Sequence, residues 1–220
     1  MKESRRIAKR IAAHCSGLWL PNYTSTKLST DPLYEGVYGE LKSSTQPLLD
    51  IGCGLGILGM YLREHGWNNP VTGFDYDASK IKGGQRMLVK GGYADITLSR
   101  GDARKDLPEH QGDVTILDIL QFFDDPQKKE LLKGVAARIA PGGKLIIRSG
   151  LHEENLRFYT TIVADFFAKI TFWMKSAPIH YPTAEFFRTT LEAEGLEVSI
   201  RPFWGKTPFN NYLIVAKRPE

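Results

Sequence analysis

Leu48-Leu49-Asp50-Ile51-Gly52-Cys53-Gly54-Leu55-Gly56 decides how the rest of the chain is read. An apolar strand carrying one acid runs directly into glycines at alternate positions. Glycine has no Cβ, so such a turn can bend sharply and let a ligand approach the main chain. The next residues, Ile57-Leu58-Gly59-Met60-Tyr61-Leu62, have the apolar spacing of a helix folding back on a sheet. Strand, glycine turn and helix together open a doubly wound α/β fold. Gly54-Leu55-Gly56-Ile57-Leu58-Gly59 is also a literal G-x-G-x-x-G, the dinucleotide fingerprint.

Asp50 bears on that choice. A helix N-terminus attracts a pyrophosphate, whereas a carboxylate two residues before the first glycine repels one and suits a cationic ligand. S-adenosylmethionine carries an ammonium and a sulfonium. The whole phrase resembles the first motif of class I S-adenosylmethionine-dependent methyltransferases. That resemblance implies cofactor contacts from Asp50, Gly52, Cys53, Gly54 and Gly56. At this point a dinucleotide oxidoreductase stays open beside it.

Outward from the turn, Pro70-Val71-Thr72-Gly73-Phe74-Asp75 reads as a second strand ending in an acid, with Tyr76-Asp77-Ala78-Ser79 starting a helix. Asp75, about 20 residues after the glycines, is a candidate ribose ligand with Tyr76 beside it. A helix cap by Asp75, Asp77 or Ser79 is the structural alternative. Asp95 to Ser99 gives a third strand, followed by Gly101-Asp102-Ala103. In the methyltransferases an acid there accepts from the adenine amine, so the resemblance assigns Asp102 and Ala103 to the cofactor. Asp113 to Asp118 makes a buried fourth strand whose last residue is a further cofactor candidate. A helix bearing Leu131, Leu132, Val135, Ala136 and Ile139 then stops at Pro141-Gly142-Gly143, ahead of a fifth strand, Lys144 to Arg148.

These landmarks stand in the order found in the methyltransferases, best from 45 to 150, and the resemblance implies a Rossmann-like doubly wound sheet of seven strands. It is mostly parallel, with one antiparallel C-terminal strand. The chain reads as one domain: a helical cap at 1–44, a cofactor-binding half at 45–150, a helical insertion over the active site at 151–181, and a helix with a hairpin at 182–220. Its 220 residues are enough to bury a full core. No apolar run reaches the roughly 18 residues of a membrane span, and the N-terminal stretch is a poor signal peptide, which makes cytoplasm the expected compartment. Two cysteines, one of them inside the glycine turn, argue against a disulfide scaffold. No His, Cys and acid spacing suggests a metal.

The net charge of +4 and a pI near 9.0 invite a nucleic-acid reading. Lys2, Arg5, Arg6, Lys9 and Arg10 concentrate at the N-terminus, with Ile7, Ala8, Ile11, Ala12 and Cys15 on the opposite side of a helix. That is the pattern of a cap helix with a solvated face. Further along, bases alternate with acids. Asp118-Ile119-Leu120-Gln121 also lacks the Pro-Pro-aromatic motif of base amino-methyltransferases.

Open α/β sheets bind ligands beyond the carboxyl ends of their strands. The segments expected there are the cap, the aromatic stretch from Ser149 to Tyr181, and the loop from Trp204 to Asn211. From the cap, Lys27 is a candidate partner for the cofactor carboxylate, and Tyr23 or Tyr34 for the pocket wall. His152 and His180 are candidate bases, with Glu153, Glu154 and Asp118 behind them. The cap phrase and the Trp204 to Asn211 loop are similar to methyltransferases of bacterial aryl-polyene pigment pathways. This similarity implies O- or C-methylation of a phenolic or other aromatic acceptor, which an acyl carrier protein would bear as a thioester. An RNA methyltransferase and a non-catalytic cofactor-binding subunit are the remaining alternatives.

Overall fold

Three helices precede the first strand: α1 (Lys2–Ala13), α2 (Leu20–Thr30) and α3 (Leu33–Leu41). The structure, a computed structural model, describes residues 2–153, 157–158, 160 and 181–220. Ile7, Ala8, Ile11 and Ala12 lie at helical spacing on one side of α1, and all four are buried as α1 packs on α2. The buried Cys15 thiol donates to Thr24 Oγ1 at 3.4 Å, which ties the turn after α1 to α2. Tyr23 stacks on Trp19 with ring centroids 4.8 Å apart. Tyr34 is buried 5.6 Å from the ring of Tyr61, so its aromatic body belongs to the core.

β1 (Leu48–Ile51) is buried at every position, as a strand covered on both faces must be. It pairs in parallel with β2 (Val71–Asp75), and β2 with β3 (Ile96–Arg100). Parallel neighbours need a crossover, and α4 (Ile57–Glu64) and α5 (Ala78–Gly91) provide it. The register sets Ile51 beside Phe74 and Asp75 beside Arg100. The three carboxyl ends therefore finish level with one another.

From Leu107 onward, β4 (Asp113–Leu117) leads through a 3-10 turn at Leu120–Phe122 into α5's successor, α6 (Asp125–Ala136). A capping box starts α6: Gln127 N–H donates to Asp124 Oδ1 at 2.8 Å, and Asp124 N–H donates back to Gln127 Oε1 at 3.1 Å. β5 (Lys144–Gly150) runs parallel to β4, and then come α7 (Ala184–Glu192), β6 (Glu197–Pro202) and β7 (Asn211–Lys217). β5 is two residues longer than its sequence suggests. β7 pairs with it antiparallel as far as Gly150 and Asn211, so the ladder keeps Ser149 and Gly150 extended.

The sheet has seven strands in the order β3-β2-β1-β4-β5-β7-β6, with β7 antiparallel to both of its neighbours. This is the mostly parallel, seven-stranded Rossmann-like sheet with one antiparallel strand that the sequence reading expects. The chain divides into two compact units, Met1–Asp106 and Leu107–Glu220. Among the described residues no helix is long and apolar enough to cross a membrane.

Candidate functional site

The glycine turn lies within the first unit and is built as its sequence requires. Gly52, Gly54 and Gly56 have φ of 75°, 57° and 70°, the left-handed region that a side chain strongly disfavours. Gly52 N–H and Cys53 N–H both donate to the Phe74 carbonyl, at 2.8 and 3.1 Å, which pins the turn to β2. The Cys53 side chain bends toward the same strand. A Cβ at Gly73 would lie 2.9 Å from both Cβ and Sγ of Cys53, so β2 carries glycine where the thiol packs. Burial, reinforced by the negative charges of Asp50 and Asp75, pushes that thiol far above its ordinary range. Cys53 therefore offers a ligand its backbone and not a thiolate.

Gly54 and Gly56 differ in what surrounds them. A Cβ at Gly56 would strike the Leu98 side chain at 2.8 Å, whereas one at Gly54 meets nothing nearer than 4.0 Å. Gly54 thus has room for a side chain at ordinary contact distance from the Lys80 side chain, and Gly56 faces core. Asp50 is buried within β1 just below the turn.

Asp75 closes the second side of the site. One carboxylate oxygen accepts from Gly54 N–H at 3.0 Å and the other from Asp77 N–H at 2.8 Å. The helix-capping role falls to Asp77, whose Oδ1 accepts from Ser79 N–H at 2.9 Å and Lys80 N–H at 3.4 Å. Asp75 is thereby held in place against the glycine turn, with Tyr76 next to it and 43% exposed. Past β3, Gly101 N–H donates to the Asp75 carbonyl at 3.1 Å, bringing Asp102 and Ala103 to the same edge. Sequence reasoning missed what holds Asp102. The Arg104 guanidinium donates to both of its oxygens at 2.8 Å, and this pairing keeps the carboxyl below its usual range.

Asp50, the glycines, Asp75, Tyr76, Asp102 and Ala103 are thus assembled by the carboxyl ends of three adjacent strands. Lys27 is half-buried on α2, where its carbonyl accepts from Asp31 N–H at 3.0 Å. The residues at the strand edge, an acid fixed against the turn, an exposed aromatic beside it, an acid beyond β3 and a glycine turn presenting main chain, have the chemistry to fit S-adenosylmethionine. The pyrophosphate of a dinucleotide would instead meet a turn bordered by buried carboxylates.

In the second unit, Asp118 follows β4 with φ of 60°, and its carboxylate takes a two-point ion pair from the buried Arg148 of β5. The sequence reading of Asp118 as a cofactor ligand did not include this partner, which lies thirty residues away. His152 is exposed just after β5. Its main-chain N–H donates to the Pro182 carbonyl at 2.9 Å, and its ring lies edge-on to Phe158 at 4.9 Å. His180 and most of the aromatic stretch lie outside the described residues. Glu153 accepts from Tyr212 O–H at 2.8 Å and Asn210 Nδ2 at 3.2 Å. That arrangement holds Tyr212 protonated, its phenol pushed up to about 12 by burial and the neighbouring carboxylate. His65 and His110 serve packing: His65 lies 4.5 Å from Tyr38 and from Tyr61, and His110 bonds the Asp113 carbonyl at 2.9 Å.

Comparison with known proteins agrees with this geometry. Residues 48–143 match the model of a methyltransferase domain. Over 126 residues the chain is 31% identical to the ubiquinone biosynthesis O-methyltransferase of Coxiella burnetii, covering 54% of this chain and 50% of that one. It is also 31% identical over 109 residues to the ribosomal protein L11 methyltransferase of Burkholderia lata, covering 50% and 33%. The chain spans about half or less of the length of these relatives. In fold it is similar to the magnesium protoporphyrin IX methyltransferase of Synechocystis PCC 6803, solved with S-adenosylhomocysteine. The TM-score is 0.66 and the identity 16%, over 99% of this chain and 93% of that one. The glycine turn, the acids within β1, at the end of β2 and beyond β3, and the matched span coincide: residues 48–143 are the core of a class I S-adenosylmethionine-dependent methyltransferase domain.

Proposed function

We propose that the protein transfers a methyl group from S-adenosylmethionine to the oxygen or carbon of a small aromatic acceptor, a phenol in the first instance. The acceptor is free or carried as a thioester on an acyl carrier protein. The observation that carries the cofactor half is the edge of β1 to β3, where the left-handed glycine turn meets the fixed carboxylate of Asp75. The acceptor half is supported by the 31% identity to an O-methyltransferase of ubiquinone biosynthesis and by the aromatic residues that follow β5.

When bound, the cofactor supplies an electrophilic methyl carbon on a sulfonium sulfur. Gly52 to Gly56 offer main chain to the cofactor's methionine end, with Lys27 proposed for its carboxylate. Asp75 accepts from ribose hydroxyls through the lone pairs that Gly54 and Asp77 leave open. Tyr76 covers one face of the adenine, and Asp102, held by Arg104, accepts from its amine. A carboxylate has about four acceptor positions, so the internal bonds do not exhaust Asp75 or Asp102. His152 or His180 takes the proton of a phenol as its oxygen attacks in line. The chain's remaining contribution is alignment and exclusion of water.

The test is transfer of labelled methyl from S-adenosylmethionine to a panel of phenols, with total RNA and ribosomal protein as further acceptors. Product on a phenol, reduced at least tenfold by His152→Ala or His180→Ala with cofactor affinity kept, is the expected result. Transfer to RNA or protein alone would replace the aromatic reading, and cofactor binding without turnover on any acceptor would support a non-catalytic subunit.

A further inference from the structure

The chain's surplus positive charge is gathered on two helices. α1 carries five basic residues and one acid, and α5 carries Lys80, Lys82, Arg86 and Lys90 with no acid at all. The whole chain has a net charge of only +4, so every residue outside α1 and α5 together is net negative. On α1, Arg5, Arg6, Lys9 and Arg10 are exposed, with Arg10 paired to Glu64. On α5, Lys82, Arg86, Val89 and Lys90 recur at helical spacing along one exposed face.

The fold joins the two helices at their ends. Lys90 Nζ donates to the Ala13 carbonyl at 2.7 Å, Cys15 Sγ lies 3.8 Å from Met87 Sδ, and the His14 ring sits edge-on to Tyr93 at 5.8 Å. The turn from Ser16 to Trp19 leaves this junction through Gly17, whose φ is 84° and where an added Cβ would meet nothing within 4 Å. Leu18 at its tip is 96% exposed, Val89 of α5 is 85% exposed and Trp19 is 55% exposed. The described residues include four large exposed hydrophobics, and three of them are at this junction.

We propose that this junction is a docking surface for an anionic lipid membrane, with Leu18, Trp19 and Val89 entering the headgroup region while the basic faces of α1 and α5 meet its charge. Charge alone suits any polyanion. The apolar tips select among them: an aliphatic pair beside a tryptophan gains from burial among acyl chains, and neither Leu18 nor Val89 has a partner on a phosphodiester backbone. Trp19, 55% exposed and stacked on Tyr23, is of the residue type favoured at a membrane interface. The surface lies apart from the glycine turn in sequence and uses none of the residues assigned to the cofactor.

Flotation of the full chain with vesicles tests this. Binding is expected to phosphatidylcholine vesicles containing a third phosphatidylglycerol, with little to phosphatidylcholine alone and a fall as salt rises. Leu18→Ser is expected to weaken binding about tenfold, and the double variant Lys82→Glu with Arg86→Glu at least about 25-fold. All three positions are exposed, so thermal unfolding and S-adenosylhomocysteine affinity should be unchanged. Absence of binding to the anionic vesicles at low salt overturns the proposal. So does binding that is lost in the charge variant and indifferent to Leu18→Ser. Capture of RNA or an acidic carrier protein by the same residues, with vesicles ignored, would reassign the surface to that partner.

Discussion

Gly54 and Gly56 stand two residues apart with similar backbone angles, and their surroundings predict different defects. At Gly56 a methyl group would meet both strain and the Leu98 side chain at 2.8 Å, so Gly56→Ala should cost about 2 to 3 kcal/mol and lower the melting temperature. At Gly54 the strain is the same but an added methyl meets only the Lys80 side chain, at an ordinary 4.0 Å, so Gly54→Ala should unfold about 1 kcal/mol more easily and lose at least tenfold in S-adenosylhomocysteine affinity. Equal affinity losses in the two, after correction for stability, would remove Gly54 from the site. The thiols make a second residue-level test. Burial pushes both Cys53 and Cys15 up, so both stay protonated in the fold where an unfolded thiol ionises. The folded form is then favoured below the ordinary thiol range, and that advantage is lost as pH rises above it. Native protein at pH 8.5 should take up iodoacetamide far more slowly than protein in denaturant, as mass spectrometry would show; rapid labelling of Cys53 would contradict its packing against Gly73.

Among the elements, α5 is fixed at its start by Asp77 and α6 by Asp124. Asp77→Ala should cost about 1 kcal/mol and about 2 to 4 °C in melting temperature. It should also loosen cofactor binding, because the side-chain cap fixes the start of α5 and with it the main-chain N–H of residue 77 that donates to Asp75. Asp124→Ala should cost a similar stability with cofactor affinity unchanged; a matching loss of affinity there would mean that the Asp77 effect is only a general softening. Legibility from sequence follows the same division. The strand, glycine turn and acid ending β1 and β2 are local patterns, since an αL glycine and a strand-end acid declare themselves within a few residues. The bonds that hold the acids are partly remote. Asp118 meets Arg148 thirty residues on, and Glu153 meets Asn210 and Tyr212 nearly sixty residues on, pairings that no local periodicity encodes. Tyr34 was a candidate for the pocket from its position in the cap, yet α3 turns it toward Tyr61, because an apolar ring beside Leu33 and Val37 is drawn into the core.

For the whole molecule, the mostly parallel seven-stranded sheet with its one antiparallel strand was legible through the family resemblance, while the order of the strands comes from the structure. The basic surface was not legible. α1 alone looks like a cap helix with a solvated face, and α5 alone looks like an ordinary crossover; their charges add only when Lys90 is brought to Ala13, seventy-seven residues away. The central claim is that the edge of β1 to β3 holds S-adenosylmethionine. Thermal unfolding of the intact chain with S-adenosylhomocysteine, beside NAD and NADP, tests it without knowledge of the acceptor. At about 100 times its dissociation constant a ligand adds roughly 2.7 kcal/mol, a rise on the order of 5 to 10 °C for a chain of this size. The account predicts that rise with S-adenosylhomocysteine alone, abolished in Asp75→Ala; no rise with it, or a rise with NAD or NADP in its place, would contradict the assignment.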